Sequence, residues 1–352
     1  MKLYFKYLIR NFFIWSLALS FFSVMRQFGQ EVVVPFSDPP NLLQYIRAHF
    51  SLGIIAGLLY GTLEYIFDKK IYKRMSLGRM ILLSTSSYLF VTMVLIFFGI
   101  NIFTKVLGVT LNWETLHEFL NFKELLLITF YCFLVGTLVD FVKQVDKKLG
   151  PGNLWKMMKG EFYNPKEDER VFMFLDLKSS TAIAEKLGHL QYSQFIQDCF
   201  QDLAVVEQYE AEVYQYVGDE AVLTWKKETG LENSNCLRAF FDFKSRLTER
   251  SDFYMKKYGL VPEFKAGLNI GKITVAEVGQ TKTEIAYHGD TINTASRIQD
   301  ECNRLGRTLL ISEELKNSLI DIQGFASSYV GDVLLKGKSK AINLYSVESL
   351  TS

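Results

Sequence analysis

The chain has 352 residues, 49% of them hydrophobic, and a net charge of +1 at pH 7. The charge is divided unevenly: residues 1–150 hold 15 Lys and Arg against 9 Asp and Glu, whereas residues 151–352 hold 24 against 29. This division excludes a single uniform domain, a disordered chain and a basic nucleic-acid binder. The four cysteines contain no Cys-x-x-Cys pair, which excludes a disulfide scaffold and a zinc ribbon.

Four apolar stretches in the first part are long enough to cross a bilayer, which requires about 20 apolar residues. We predict spans at about 7–25, 48–67, 80–103 and 125–142, and therefore an all-α four-helix transmembrane domain over residues 1–145 in contact with membrane lipid. Lys and Arg concentrate before the first span, between the second and third, and after the fourth. The positive-inside rule then predicts a plasma or inner membrane protein with both termini in the cytoplasm.

Two acids lie in or near the ends of these spans, Glu64 and Asp140. We expect both at the membrane interface, because basic residues lie within a turn of each. Residues 146–170 are predicted to form a linker. Its Gly150-Pro151-Gly152 run cannot continue a helix, and its Lys166–Arg170 segment is expected to be solvated.

The first motif of the soluble part joins an apolar run to an acid. Val171–Leu175 predicts a buried strand that ends at Asp176 and passes through a short turn into a helix. A carboxylate beside a helix N-terminus suits a site for Mg²⁺ and phosphate.

The second motif, Glu212–Trp225, predicts two strands joined by a type II′ turn at Gly218-Asp219. Asp219 then lies at the tip of a hairpin. Together with Asp176 it supplies carboxylates from two chain segments, which is what a two-metal phosphoryl-transfer site requires.

Two further motifs follow. His288–Gly306 predicts a helix capped by Asp290, on which Asn293 and Arg297 share a face because they are four residues apart. Val333–Val347 predicts two strands around Lys336-Gly337-Lys338.

In this order, these motifs resemble the catalytic domain of class III nucleotidyl cyclases over residues 171–349. The matching segments are F-L-D-L-K-S-S-T, Y-V-G-D-E, G-L-N-I-G-K-I, G-D-T-I-N-T-A-S-R and L-L-K-G-K-S-K. The resemblance implies a C-terminal α/β domain, ferredoxin-like and βαβ-rich, that works as a head-to-tail homodimer. It also implies active sites at the shared interface, where a nucleoside triphosphate becomes a 3′,5′-cyclic monophosphate plus pyrophosphate for intracellular signalling. The topology predicted above makes this domain cytosolic.

The resemblance implies a role for each matching residue. Asp176 and Asp219 would bind two Mg²⁺ or Mn²⁺ ions per active site. Asn293 would orient the ribose, and Arg297 would stabilise charge on the α-phosphate. The triphosphate would be bound by Lys336, with Lys338 as the alternative, and by the backbone amides of Leu177, Lys178, Ser179, Ser180 and Thr181.

The sequence departs from the family where the base is read. Adenylate cyclases commonly have Lys at the position of Gln215, and Asp or Thr at that of Ala286. The Glu and Cys common in guanylate cyclases are also missing. ATP is favoured because it is the commonest substrate of the family, and a cyclase for another base stays open.

Three alternatives remain at this point. A catalytically silent, cyclase-like membrane receptor is favoured by Gln215 and Ala286. A diguanylate cyclase is suggested by V-G-D-E-A, but Val217 replaces its second glycine and no D-x-D-x-F-K run is present. A transporter or channel with a regulatory domain is disfavoured because the spans lack a polar pathway.

Overall fold

The computed structural model describes residues 2–27, 42–67, 75, 77–107, 122–150, 152–319, 322 and 324–350. The basic residues at 69–74 and Pro151, which entered the predictions above, lie outside these ranges. The chain divides into two compact units, Met1–Val145 and Asp146–Ser352.

The first unit consists of long helices. They are α1 (Lys2–Gln27), α2 (Leu42–Ile66), α3 (Leu77–Leu107) and α4 (Phe122–Leu149), whose last residues belong to the second unit. Each contains a stretch long and apolar enough to cross a membrane: Tyr4–Met25, Ile46–Ile66, Gly78–Gly99 and Leu125–Leu149. The prediction of four long apolar helices in the N-terminal part is confirmed.

Helices α1 and α2 pack with their backbones in close approach. A Cβ atom placed on Gly53 would lie 2.3 Å from the Cα of Ser16, and one on Gly57 would lie 2.4 Å from the Cα of Phe12. Glycines four residues apart lie on one face of α2, and such small-residue faces let apolar helices approach closely.

Glu64 binds partners from two other helices of this unit. Its carboxylate accepts hydrogen bonds from Arg10, from Asn11 at 2.6 Å and from Lys143 at 2.7 Å, and its side chain is 15% exposed. Because Arg10 and Asn11 belong to α1 and Lys143 to α4, one carboxylate joins α1, α2 and α4. Asp140 accepts a hydrogen bond from the hydroxyl of Tyr88 at 2.7 Å.

The second unit is a mixed α/β domain, as predicted. Its elements are α5 (Asn153–Met158), β1 (Lys166–Leu177), α6 (Ser180–Asp202), β2 (Glu212–Val217), β3 (Glu220–Lys226), α7 (Lys227–Leu231), α8 (Asn235–Glu249), α9 (Ser251–Tyr258), β4 (Phe264–Val278), β5 (Glu284–His288), α10 (Asp290–Arg304), β6 (Leu309–Ser312), α11 (Glu313–Ser318), β7 (Phe325–Val333) and β8 (Ile342–Ser349). The strands form one sheet in the order β2-β3-β1-β4-β6-β8-β7, with β5 paired to β4. The β4–β6 pair is parallel and the others are antiparallel.

Strand β1 lies inside the sheet and is buried on both faces. Val171, Met173 and Leu175 face one apolar cluster, and Phe172 and Phe174 face another. A continuous apolar run is what a strand covered on both faces requires. This burial fixes the position of Asp176 at the end of the strand.

The expectation that Lys166–Arg170 is solvated holds for Lys166 and Glu167, which are exposed, and is wrong for Arg170. Strand β1 begins at Lys166, and Arg170 is 2% exposed. Its guanidinium forms ion pairs with Asp168 at 2.9 Å and Glu212 at 3.0 Å and lies 5.0 Å from the ring centre of Tyr287. The charge of Arg170 is therefore neutralised by Asp168 on its own strand and by Glu212 on β2, and not by water.

Candidate active site

The two predicted metal ligands lie at the adjoining ends of neighbouring strands. Asp176 near the end of β1 is in register with Glu220, the first residue of β3. Asp219 precedes Glu220 in the two-residue connection to β2, where Gly218 has a φ of 63°. A positive φ at the first position is what a type II′ turn requires. The hairpin thus brings Asp219 beside Asp176.

Two buried donors bind one oxygen of Asp176. The Nε2 atom of Gln299, on α10, donates to Asp176 Oδ2 at 3.1 Å. The Nζ atom of Lys265, on β4, forms an ion pair with the same oxygen at 3.2 Å. Lys265 is 5% and Gln299 3% exposed, so both polar groups are buried with a partner.

The carboxylates of this cluster are held close together in partly buried surroundings. Burial raises the pKa of Asp176; the ammonium of Lys265 opposes this rise and the neighbouring Asp219 adds to it. Burial also raises the pKa of Glu220 to about 7, and the charges of Asp176, Asp300 and Asp219 contribute in the same direction. Acids whose charges repel one another in this way are suited to binding a cation.

The donor set fits Mg²⁺ or Mn²⁺. Asp176 and Asp219 offer hard carboxylate oxygens, the ligands that these ions prefer. Among the described residues, no group of three or more His, Cys, Asp or Glu side chains forms a complete metal site. Further ligands would come from substrate phosphates and water, as is usual for Mg²⁺.

The turn after Asp176 leads directly into a helix. Leu177 is still paired with Phe264, and the amide of Lys178 donates to the carbonyl of Glu263 at 2.8 Å. Ser179 adopts a left-handed conformation with φ 56°, and α6 begins at Ser180. Of the predicted phosphate-binding amides, that of Lys178 already has a partner in the protein. Those of Ser179, Ser180 and Thr181 lie at the helix N-terminus.

Helix α10 carries the predicted transition-state residues. It begins at Asp290 with Gly289 at the cap position, so the prediction that Asp290 caps the helix is wrong by one residue. The reason is that the residue before the helix has a φ of 153°, which favours glycine, so Gly289 takes the cap position, while Asp290 binds Lys338 through its side chain. Asn293 is exposed and Arg297 half-buried.

The connection between β7 and β8 contacts α10. A Cβ atom on Gly337 would lie 3.4 Å from a guanidinium nitrogen of Arg297, and Lys338 forms an ion pair with Asp290. The structure therefore brings Arg297 and the predicted phosphate-binding loop together. Lys336, in this loop, is exposed.

The base-reading candidates lie on two other strands. Gln215 is exposed on β2, next to a register shift in the pairing with β3. Ala286 is half-buried on β5 and paired with Ala276 of β4. The methyl group of Ala286 offers no polar atom to a base, whereas the side-chain amide of Gln215 can both donate and accept hydrogen bonds.

The predicted site residues fall into two groups. Asp176 and Asp219 form one, and Arg297 with the 336–338 loop forms the other. Within the described chain, no hydrogen bond or ion pair joins Asn293 or Arg297 to either aspartate.

Three residues of the site were missed by the sequence predictions: Glu220, Lys265 and Gln299. Lys265 is placed opposite Asp176 by the antiparallel register of β1 and β4, which the structure reveals and the local sequence does not. Glu220 directly follows Asp219. Gln299 gave no local signal.

Comparison with known proteins identifies the family of this domain. Residues 162–349, more than half of the chain, match the family model described as the adenylate and guanylate cyclase catalytic domain. The chain belongs to this cyclase family. It is 33% identical over 210 residues to adenylate cyclase 2 of Rhizobium meliloti (strain 1021), covering 59% of this chain and 58% of that protein. The match to the class III cyclase domain was predicted from the motifs and is confirmed.

Other similar proteins include both cyclase types. An adenylate cyclase of Anabaena cylindrica is 24% identical over 187 residues, 51% of this chain and 36% of its own length. A receptor-type guanylate cyclase of Caenorhabditis elegans is 26% identical over 188 residues, 52% of this chain and 17% of its own length. The fold of a bacterial light-regulated adenylyl cyclase aligns with a TM-score of 0.53 at 20% identity, covering 63% of this cyclase chain and 65% of that one. The chain thus spans less than two thirds of each of these relatives.

Proposed function

We propose that this chain is a membrane-anchored nucleotidyl cyclase that converts a nucleoside triphosphate, with ATP favoured, to the 3′,5′-cyclic monophosphate and pyrophosphate for intracellular signalling. The observation that carries this proposal is the placement of Asp176 beside Asp219 in a domain of the cyclase family. The placement of Arg297 beside the 336–338 loop supports it.

Asp176 and Asp219 would hold two Mg²⁺ or Mn²⁺ ions. Such ions lower the pKa of a bound hydroxyl and neutralise phosphate charge. The chain's own groups would do the rest: Asn293 orients the ribose, and Arg297 donates hydrogen bonds to the α-phosphate as charge develops there. Lys336 and the amides of Ser179–Thr181 would bind the remaining phosphates. Catalysis would then consist mainly of positioning and charge stabilisation.

The active form would be a homodimer. Because no hydrogen bond or ion pair joins Arg297 or Asn293 to the aspartates of their own chain, we propose that they act on the substrate held by Asp176 and Asp219 of the other subunit. A head-to-tail arrangement then gives two composite sites per dimer.

ATP is favoured because adenylate cyclases are among the similar proteins, including the one at 33% identity. Gln215 has an amide that both donates and accepts, and it therefore suits adenine or guanine. The alternative is a cyclase of the same type whose substrate carries another base.

The proposed organisation follows the sequence predictions. Residues 1–145 would anchor the chain in the plasma or inner membrane with both termini in the cytoplasm. Residues 146–170 would connect this anchor to the cytosolic catalytic domain, which residues 171–349 would form.

The first prediction concerns turnover. Full-length protein in detergent, supplied with Mn²⁺ and separately with ATP, GTP, CTP or UTP, should form a cyclic product that mass spectrometry identifies. Asp176→Ala and Asp219→Ala should each abolish it, because each removes a metal ligand. Asp252→Ala, at an exposed acid on α9, is the matched control and should retain activity.

No product from any of the four nucleotides, from protein that is folded and dimeric, would overturn the proposed activity. It would favour the second candidate, a catalytically silent cyclase-like receptor. The observation in favour of that candidate is the altered pair Gln215 and Ala286.

A further inference from the structure

Gln299 is a buried amide on the inner face of α10. Its Nε2 atom donates to Asp176 Oδ2 at 3.1 Å, across 123 positions of sequence. The amide is directed at the side chain that the proposed function assigns to a metal ion.

Both donors to Asp176 select the same oxygen. Lys265 and Gln299 bind Oδ2 from β4 and α10, at 3.2 Å and 3.1 Å, and neither is recorded on Oδ1. Two donors from two elements determine the rotation of a carboxylate about its terminal bond, which is otherwise a soft torsion. The Oδ1 atom is then presented in one direction.

The helix that carries Gln299 is itself fixed to the sheet. A Cβ atom on Gly267 of β4 would lie 2.2 Å from the backbone nitrogen of Gln299, so the two backbones are in direct contact. Gln299 follows Arg297 by two residues, which places the two side chains on nearly opposite sides of a helix with 3.6 residues per turn. One face of α10 therefore contacts the metal aspartate, and another carries Arg297.

We propose that Gln299 is a positioning residue: it orients the Asp176 carboxylate for the metal ion and ties α10 to the metal site of its own subunit. The proposal rests on the proposed function, since it assumes that Asp176 binds a metal. Its mechanism is that of partners behind metal ligands, which hold the ligand in its binding geometry.

The test measures metal affinity without turnover. Mn²⁺ is titrated into the full-length protein with 3′-deoxy-ATP, which has no 3′-hydroxyl to cyclise, and free Mn²⁺ is followed by electron paramagnetic resonance. Gln299→Met keeps the size of the side chain but removes the donor. We expect it to weaken Mn²⁺ binding by about 10-fold or more, the usual cost of losing such a partner.

Asn269→Leu is the matched control. Asn269 is another buried amide, 6% exposed, and it binds α10 through the carbonyl of Thr291 at 3.1 Å without contacting Asp176. The Asn269→Leu variant therefore measures how a loosened α10 affects Mn²⁺ affinity when the hydrogen bond to Asp176 is kept. We expect its Mn²⁺ affinity to stay within about twofold of wild type while its thermal midpoint falls.

A second variant and a second readout guard against misfolding. Gln299→Asn keeps the amide but is too short to reach Oδ2, and it should weaken Mn²⁺ binding in the same direction. In cyclase assays, excess Mn²⁺ should return the kcat of Gln299→Met towards the wild-type value, because only the occupancy of the metal site has changed.

The outcomes are distinguishable. Wild-type binding that is unaffected by Asp176→Ala would overturn the proposed metal site itself. Binding that Asp176→Ala abolishes but that both Gln299 variants leave within twofold of wild type would overturn the positioning role alone. Equal losses in Gln299→Met and Asn269→Leu would show that the amide acts only through helix packing, and would also overturn it.

Discussion

At the scale of single residues, folding places the carboxylates of the acidic cluster close together, which is electrostatically unfavourable. Glu220 is flanked by Asp219 in sequence and by Asp176 across the strands, and burial is the main reason why its pKa is raised to about 7. An acid whose pKa is raised by folding keeps its proton in the folded state at pH values where the unfolded chain has released it. The stability of the folded state therefore decreases as the pH rises from about 4.5, the ordinary Glu value, to about 7.

Replacing Glu220 by Gln should remove this cost. In EDTA, Glu220→Gln should raise the thermal midpoint at pH 8 by about 2 °C or more, and it should change the midpoint little at pH 5. Thermal scans of the full-length protein at both pH values measure this. Glu228→Gln, at an exposed acid on α7, is the control. An equal gain at both pH values would contradict the electrostatic cause.

Short sequence motifs were sufficient to predict part of the site. The remaining residues could not be predicted, because they reach the site through contacts between distant parts of the sequence. Asp176 and Asp219 each follow a short pattern, a strand end or a hairpin turn, that is readable within ten residues. Gln299 contributes through one contact across 123 positions, and no neighbouring residue signals it. Arg170 was misjudged for the same reason, because its partner Glu212 comes from a distant strand.

At the scale of elements, apolar length alone predicted helices α1 to α4, but their packing depends on glycine positions that length does not reveal. Gly53 and Gly57 are unremarkable in composition, yet each places the backbone of α2 against α1. For strand β1, the sequence pattern predicted the buried part but not the full length. Its apolar run predicted a buried strand from Val171, and the pairing with β4 extends it back to Lys166.

Gly57→Ala and Gly78→Ala should have opposite effects on stability. Both changes improve helix propensity by up to about 1 kcal/mol. At Gly57, however, the added methyl group would lie 2.4 Å from the Cα of Phe12 and force α1 away, whereas at Gly78 no atom of the described residues lies within 4 Å. We expect Gly57→Ala to lower, and Gly78→Ala to keep or raise, the temperature at which detergent-solubilised protein loses its monodisperse gel-filtration peak. Equal behaviour of the two variants would contradict the close packing of α1 and α2.

At the scale of the whole molecule, the chain combines helices long and apolar enough to span a membrane with a domain of the cyclase family, whose predicted catalytic residues form two separate groups. Asp176 and Asp219 lie at one end of the β1–β3 pair, and Arg297 lies against the 336–338 loop. The order of the motifs predicted both groups. Their division between two subunits stays a prediction, because the order of motifs in a sequence does not show whether one chain or two chains form each active site.

The division can be tested by mixing two inactive variants. In a head-to-tail dimer, an Asp176→Ala subunit still supplies Arg297, and an Arg297→Ala subunit still supplies Asp176. Each mixed dimer therefore contains one intact site and one doubly damaged site. Random pairing of equal amounts makes half of the dimers mixed, so about a quarter of the wild-type activity should return.

Mixing Asp176→Ala with Asp219→Ala is the control, because both aspartates serve the same site of their own subunit and no combination restores it. The measurement is cyclic-nucleotide production by co-expressed full-length subunits that carry different affinity tags, after purification through both tags. Mixed dimers should then retain about half of the wild-type activity per dimer. Activity in the control mixture would show that the two aspartates act on different sites. An inactive Asp176→Ala/Arg297→Ala pair, with the mixed dimer verified by both tags, would show that each site closes within one chain.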